Sequence, residues 1–240
     1  MSRVDRLAVA LDTADRATFS RWVAEIGPLV GVLKIGLEAF VRFGPPAVAD
    51  ARASGARVFL DLKLHDIPNT VAGATSAAAE LGVDYLTVHA AGGRAMLAAA
   101  VTAAGGRVRI LAVTVLTSLD REALERLRMP GDAATRALDW AELARETGCA
   151  GAVSSPLELR TLRPRLPSPF LLVTPGIRPA GGPVGDQKRV ATPAAAIEEG
   201  ADLLVVGRPV TGAPDPAAAV AALAAEIDSV RPRTGEKRPD

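Results

Sequence analysis

The chain has 240 residues and a mass of 24.7 kDa, enough for one medium domain or two small ones with a sizeable core. Its 28 basic and 27 acidic residues give a formal net charge of +1, without the basic excess of a nucleic-acid binder. A single cysteine, Cys149, excludes an internal disulfide, a Cys-Cys zinc site and an iron–sulfur cluster, and two histidines, His65 and His89, argue against a His-rich metal site.

No run approaches the roughly 18 apolar residues of a membrane span, and MSRVDRLAVALD at the start lacks a signal-peptide pattern. A cytoplasmic protein with no membrane partner is expected. The chain then opens on an aliphatic run, Leu7–Leu11, read as a strand, and a helical segment over Ala14–Ile26. Strand-like runs follow at Val30–Ile35 and Val58–Leu62, then a helix over Val71–Leu81, a run at Val83–Val88 and a helix over Arg94–Ala104. After the run Val108–Val115 comes the widest gap, with room for an extra helix around Asp120–Arg128 ahead of the helix Ala133–Glu146. Runs at Ala150–Val153 and Phe170–Val173 lead to Gly176–Lys188, a Gly- and Pro-rich stretch too long for a tight connection and read as a mobile lid. A helix over Thr192–Glu199, the run Leu203–Val206 and a polar tail, 230–240, expected to fray, complete the chain.

The runs are apolar on both faces, as parallel strands covered by helices are. Eight strand–helix units of about 30 residues each indicate a single α/β domain over 1–229, a (β/α)8 TIM barrel. An open doubly wound sheet is the alternative, but no dinucleotide glycine fingerprint follows the first run.

In such a barrel the chemistry sits at the carboxyl ends of the strands. The polar residues just past the runs are Asp12, Lys34, Asp61, Lys63, His89, Thr114, Thr117, Ser154, Thr174, Gly207 and Arg208. Only four lysines stand against 24 arginines, yet Lys34 and Lys63 both close apolar runs, where a solvated charge is not expected. Regular alternation along a strand points Asp61 and Lys63 the same way, and Lys34 and Asp66 can complete a Lys–Asp–Lys–Asp array. Flanking carboxylates favour the charged form of an ammonium, which suits a site that stabilises and protonates a carbanion. The same array is also compatible with ion pairs that only lock strands together. Gly207 and Arg208, at the last strand, occupy the usual phosphate position of the fold, with Arg178 and Gln187 of the long loop in range. The plainer alternative is a packing glycine and a rim arginine. His65, His89, Cys149, Trp22 and Trp140 read as structural, and Ser154-Ser155 lacks a nucleophile-elbow context.

The stretch FLDLKLHDIPNTV at Phe59–Val71 resembles the signature of the orotidine 5′-phosphate decarboxylase family. LAVALD (Leu7–Asp12), LKIG (Leu33–Gly36), VTVLTS (Val113–Ser118), TPGIRP (Thr174–Pro179), GDQKR (Gly185–Arg189) and VVGRPVT (Val205–Thr211) follow in that family's order. The resemblance implies decarboxylation of orotidine 5′-phosphate to UMP without a cofactor or metal. It implies Lys63 as proton donor to C6, flanked by Asp61, near the departing carboxylate, and by Lys34. It implies Asp12 and Lys34 on the ribose hydroxyls, Thr117 and Ser118 at the pyrimidine's polar edge, and Gln187 between base and phosphate. Arg178, Gly207 and Arg208 would hold the phosphate. Asp66 and Thr70 would reach into the neighbouring subunit's site, making a homodimer with shared sites. Two other readings stay open: a metal-dependent sugar-phosphate decarboxylase or synthase sharing D-x-K-x-x-D, and a silent nucleotide-binding barrel.

Overall fold

The computed structural model describes residues 4–129, 131–179 and 190–230. Eight parallel strands are hydrogen-bonded in chain order: β1 (Val4–Ala10), β2 (Val30–Gly36), β3 (Arg57–Leu64), β4 (Tyr85–His89), β5 (Arg109–Val113), β6 (Gly151–Val153), β7 (Leu171–Thr174) and β8 (Leu203–Val206). β8 returns to β1, with Leu204 opposite Leu7 and Val206 opposite Val9, and the sheet closes into a barrel. The open-sheet alternative is thereby excluded.

Around the barrel lie α1 (Arg16–Ile26), α2 (Leu37–Phe43), α3 (Pro45–Ala53), α4 (Pro68–Glu80), α5 (Gly93–Ala104) and α6 (Arg121–Arg126). They are followed by α7 (Ala133–Glu146), α8 (Leu159–Leu162), α9 (Pro193–Glu198), α10 (Arg208–Thr211) and α11 (Pro216–Asp228). Their starts are written locally. Asp15, Asp120, Asp132 and Asp215 each accept a backbone N–H from the first turn, and Pro45, Pro68, Pro193 and Pro216 sit where an N–H would have no helical partner. The helix expected in the wide gap is α6. The tail 231–240 and most of the Gly- and Pro-rich loop, 180–189, lie outside the described residues.

Alternation along each strand divides the core in two. Leu7, Val9, Leu33, Ile35, Leu60 and Leu86 point outward beneath the helices, while Ala8, Val32, Phe59, Tyr85, Leu111 and Val173 fill the barrel. Each fully buried Leu or Phe contributes about 1.5–3 kcal/mol. Two residues further along the inward faces of β2, β3 and β4 stand Lys34, Asp61 and Thr87. The polar groups of the mouth therefore rest on an apolar plug, which closes the barrel beneath them to water.

Candidate active site

At the carboxyl ends of the strands lies a cleft of about 470 Å³, lined among others by Lys34, Asp61, Lys63, Thr117, Arg178 and Arg208, with Asp12 and Gly207 on its wall. Nine of the residues singled out from the sequence, Ser154 among them, are thus brought to one place. Lys34 and Asp61 are nearly enclosed, with side chains 8% and 13% exposed, whereas Lys63 remains 34% exposed and faces the cleft.

Asp61 is the centre of the charge network. Its Oδ1 accepts from the Lys63 ammonium at 2.8 Å and from the Thr87 hydroxyl at 2.9 Å, while Oδ2 lies 3.2 Å from Lys34 Nζ. Lys34 Nζ in turn lies 3.7 Å from Asp12 Oδ2. Burial pushes the Asp61 carboxyl up, but Lys34, Lys63 and the hydrogen bonds from Lys63 and Thr87 outweigh it and hold the group below the usual carboxylate range. Gly36, at the end of β2, leaves room for the Asp12 carboxylate, because any Cβ there would overlap it.

The expected regular alternation of Asp61 and Lys63 is corrected by the structure. β3 is bulged against β4: Leu60 pairs with Leu86 and Leu64 with Val88, and Lys63 takes a left-handed backbone with φ +50°. Lys63 meets Asp61 through this distortion rather than by simple two-residue periodicity.

The four-membered array within one chain is corrected as well. Asp66 is exposed on the connection to α4, its carboxylate accepts the backbone N–H of Ile67 at 2.6 Å, and it forms no ion pair with Lys63 among the described residues. Thr70, in the first turn of α4, is also exposed and does not line the cleft. Thr117 is half-buried on the wall, Ser118 is exposed, and Gln187 lies outside the described residues. Arg178 is fixed where the long loop leaves the barrel: its backbone N–H donates to Ala191 O at 2.9 Å and its guanidinium to Ile177 O at 2.9 Å.

His65 and His89 form a stacked pair with ring centroids 5.3 Å apart, and Trp140 meets His89 edge-on at 5.8 Å. Burial, with His65 and Lys63 nearby, lowers the His89 pKa, consistent with its Nδ1 accepting the Ala91 N–H. Burial pushes the Cys149 thiol up to about 11, so it is a packing residue and no nucleophile at neutral pH. Thr87 was not legible as a functional residue, since it sits inside an apolar run. Ser154 also lines the cleft, fully enclosed, with no hydrogen-bond partner for its hydroxyl among the described residues.

The family model for the orotidine 5′-phosphate decarboxylase / HUMPS family matches residues 5–223. The chain belongs to the orotidine 5′-phosphate decarboxylase family. It is 51% identical over 240 residues to the orotidine 5′-phosphate decarboxylase of Moorella thermoacetica, covering 96% of this chain and 95% of that one. The enzyme of the same name from Thermobifida fusca is 55% identical over 224 residues, covering 92% and 95%. The crystal structure of orotidine 5′-phosphate decarboxylase from Lactobacillus acidophilus superposes with a TM-score of 0.82 at 35% identity, covering 95% of this chain and all of that one. The activity of this decarboxylase family is removal of the substrate's carboxylate to give UMP, a step of pyrimidine nucleotide synthesis.

Proposed function

We propose that this cleft decarboxylates orotidine 5′-phosphate with Lys63 as the acid that protonates C6. One observation carries the reading: a partly exposed ammonium, 2.8 Å from a nearly enclosed carboxylate, faces a cleft whose wall also bears Arg178 and Arg208. The bond from C6 to the carboxylate breaks, its electron pair stays on C6, and carbon dioxide leaves. Lys63 Nζ gives its proton to that pair and is left as an amine, which water reprotonates. The carbanion lies in the plane of the ring and gains little from delocalisation, so fixed charge must stabilise it. Asp61, kept ionised by its neighbours, holds both ammonium groups in place before the charge develops.

Arg178, Arg208 and the Gly207 backbone receive the phosphate, with Gln187 bridging to the base. That grip is binding energy remote from the reacting carbon, and it can be used to orient the carboxylate at Lys63. Asp12 and Lys34 hold the ribose hydroxyls, and Thr117 meets the pyrimidine edge. No cofactor or metal takes part in this scheme.

The active unit is a homodimer. The exposed segment from His65 to Thr70, after β3, carries Ile67, 66% exposed, and α2, which follows the neighbouring strand β2, exposes Leu37 and Val41. Covering this sector with a second copy brings Asp66 and Thr70 to the partner's cleft, where Asp66 completes the charge array. Its place is the cytoplasm, where nucleotide monophosphates, too polar to cross a membrane, are made.

The test is a spectrophotometric assay of orotidine 5′-phosphate consumption in EDTA. Full activity is expected, and activity restored only by a divalent metal would favour a metal-dependent sugar-phosphate enzyme. Mixing Lys63→Ala with Asp66→Ala subunits should restore about a quarter of the wild-type sites, because random pairing gives half hybrids with one intact site each. Absence of any recovery would sink the shared-site arrangement.

A further inference from the structure

Thr87 is the β4 residue that faces the distortion in β3. Because Leu60 pairs with Leu86 and Leu64 with Val88, the three residues Asp61, Leu62 and Lys63 stand opposite Thr87 alone. An insertion of this kind takes backbone groups out of the strand ladder, and each must find another partner if it is buried. It also places Lys63 in the left-handed region, which is costly for a residue with a Cβ and persists only where the surroundings impose it.

The Thr87 hydroxyl meets both needs. It accepts the Lys63 backbone N–H at 2.9 Å and donates its own hydrogen to Asp61 Oδ1 at 2.9 Å. That oxygen is the one that receives the Lys63 ammonium at 2.8 Å. One fully buried hydroxyl therefore ties Lys63 at both ends, its backbone directly and its ammonium through Asp61. Valine would fill the same space on this strand but would leave the Lys63 N–H without its acceptor and Asp61 without a donor.

We propose that Thr87 is a positioning residue for the proton transfer, whose hydroxyl holds Lys63 in its left-handed conformation and aims the ammonium and the Asp61 carboxylate at the reacting carbon. The proposal rests on the reading of Lys63 as proton donor. The charged groups facing Asp61 are Lys34 from β2 and Lys63 from β3, with Asp12 behind Lys34 and His89 two residues beyond Thr87.

The experiment compares Thr87→Val, Thr87→Ser and Thr87→Cys, the last filling the space with a weak donor, alongside Lys63→Ala. Rates are normalised to the number of sites that bind UMP, so that loss of folded protein drops out. Thr87→Val and Thr87→Cys are expected to lose about 30-fold in kcat with KM changed less than about threefold, and Thr87→Ser to recover most of the loss. The acid limb of the kcat profile should move to higher pH in Thr87→Val, because Asp61 loses a donor to its charged form. Should Thr87→Val fold too poorly to assay, Thr87→Cys against Thr87→Ser decides by the same two readouts. A per-site kcat within about twofold of wild type, or an unmoved acid limb, would overturn the proposal while Lys63→Ala stays inactive. Turnover by Lys63→Ala would instead remove the reading of Lys63 itself.

Discussion

Two largely enclosed carboxylates, one at each end of the barrel, show opposite solutions to the same electrostatic problem. At the mouth, Asp61 has two ammonium groups and a hydroxyl around it, and its carboxyl is held below the ordinary range. At the other end, Asp202, just before β8, accepts from Arg163 at 2.7 Å and from the Leu172 N–H at 2.7 Å. There burial outweighs Arg163, the Leu172 hydrogen bond and Arg6, and the carboxyl is pushed up. Arg163 is itself buried, with Nε and Nη1 unpartnered among the described residues. The Asp202 pair ties the chain before β7 to the start of β8, whereas the Asp61 cluster surrounds its anion with more positive charge than one carboxylate needs. An anion supported to that degree stays ionised when an anionic substrate enters, which is what the proposed proton transfer from Lys63 requires.

The comparison is broken most sharply by Lys63→Ala. Turnover is expected to fall by about 1000-fold or more (~4 kcal/mol) while nucleotide binding stays measurable by calorimetry. Retention of more than about a tenth of the wild-type rate would refute Lys63 as donor. Arg163→Met attacks the other end: it should cost about 2 kcal/mol in denaturant unfolding, since it strands a largely enclosed carboxylate, and leave kcat of the folded enzyme unchanged. A fall in kcat at full stability would mean that the two ends are coupled.

Arg208→Ala sharpens the division within the cleft. About 30-fold in kcat/KM is expected to be lost on the phosphorylated substrate, with the slow reaction of the unphosphorylated nucleoside spared. Equal losses on both would argue against a phosphate role.

The smallest effect is in the pH dependence of stability. Asp61, lowered in the fold, contributes stability that is present above its unfolded value of 3.8 and is lost as pH falls through the folded value. Asp202, raised in the fold, binds its proton more tightly when folded, so its contribution declines as pH rises above 3.8. Unfolding midpoints of Asp61→Asn and Asp202→Asn across acid pH should therefore diverge from wild type with opposite slopes. Parallel slopes would show that the two environments are not opposed.

Much of the fold was legible along the chain. Apolar runs such as Val30–Ile35 and Leu203–Val206 mark strands buried on both faces, and Asp and Pro at the helix starts act on their own neighbours. The charges of the mouth were legible too, because Asp12, Lys34, Asp61 and Lys63 interrupt a pattern that otherwise has no place for them. The role of Thr87 was hidden, since a threonine in an apolar run has the composition of any strand residue.

What the order of residues alone determined is the set of groups available: eight strands, two lysines where arginine predominates elsewhere, and a family signature from Phe59 to Val71. Which of those groups meet was decided only in three dimensions. The mismatch of β3 against β4 brings Lys63 to Asp61 and Thr87, while Asp66, five residues after Asp61, faces outward. Periodicity is a local rule that follows from the backbone of one strand. A bulge depends on the register of two strands more than twenty residues apart, and no window along the chain contains both.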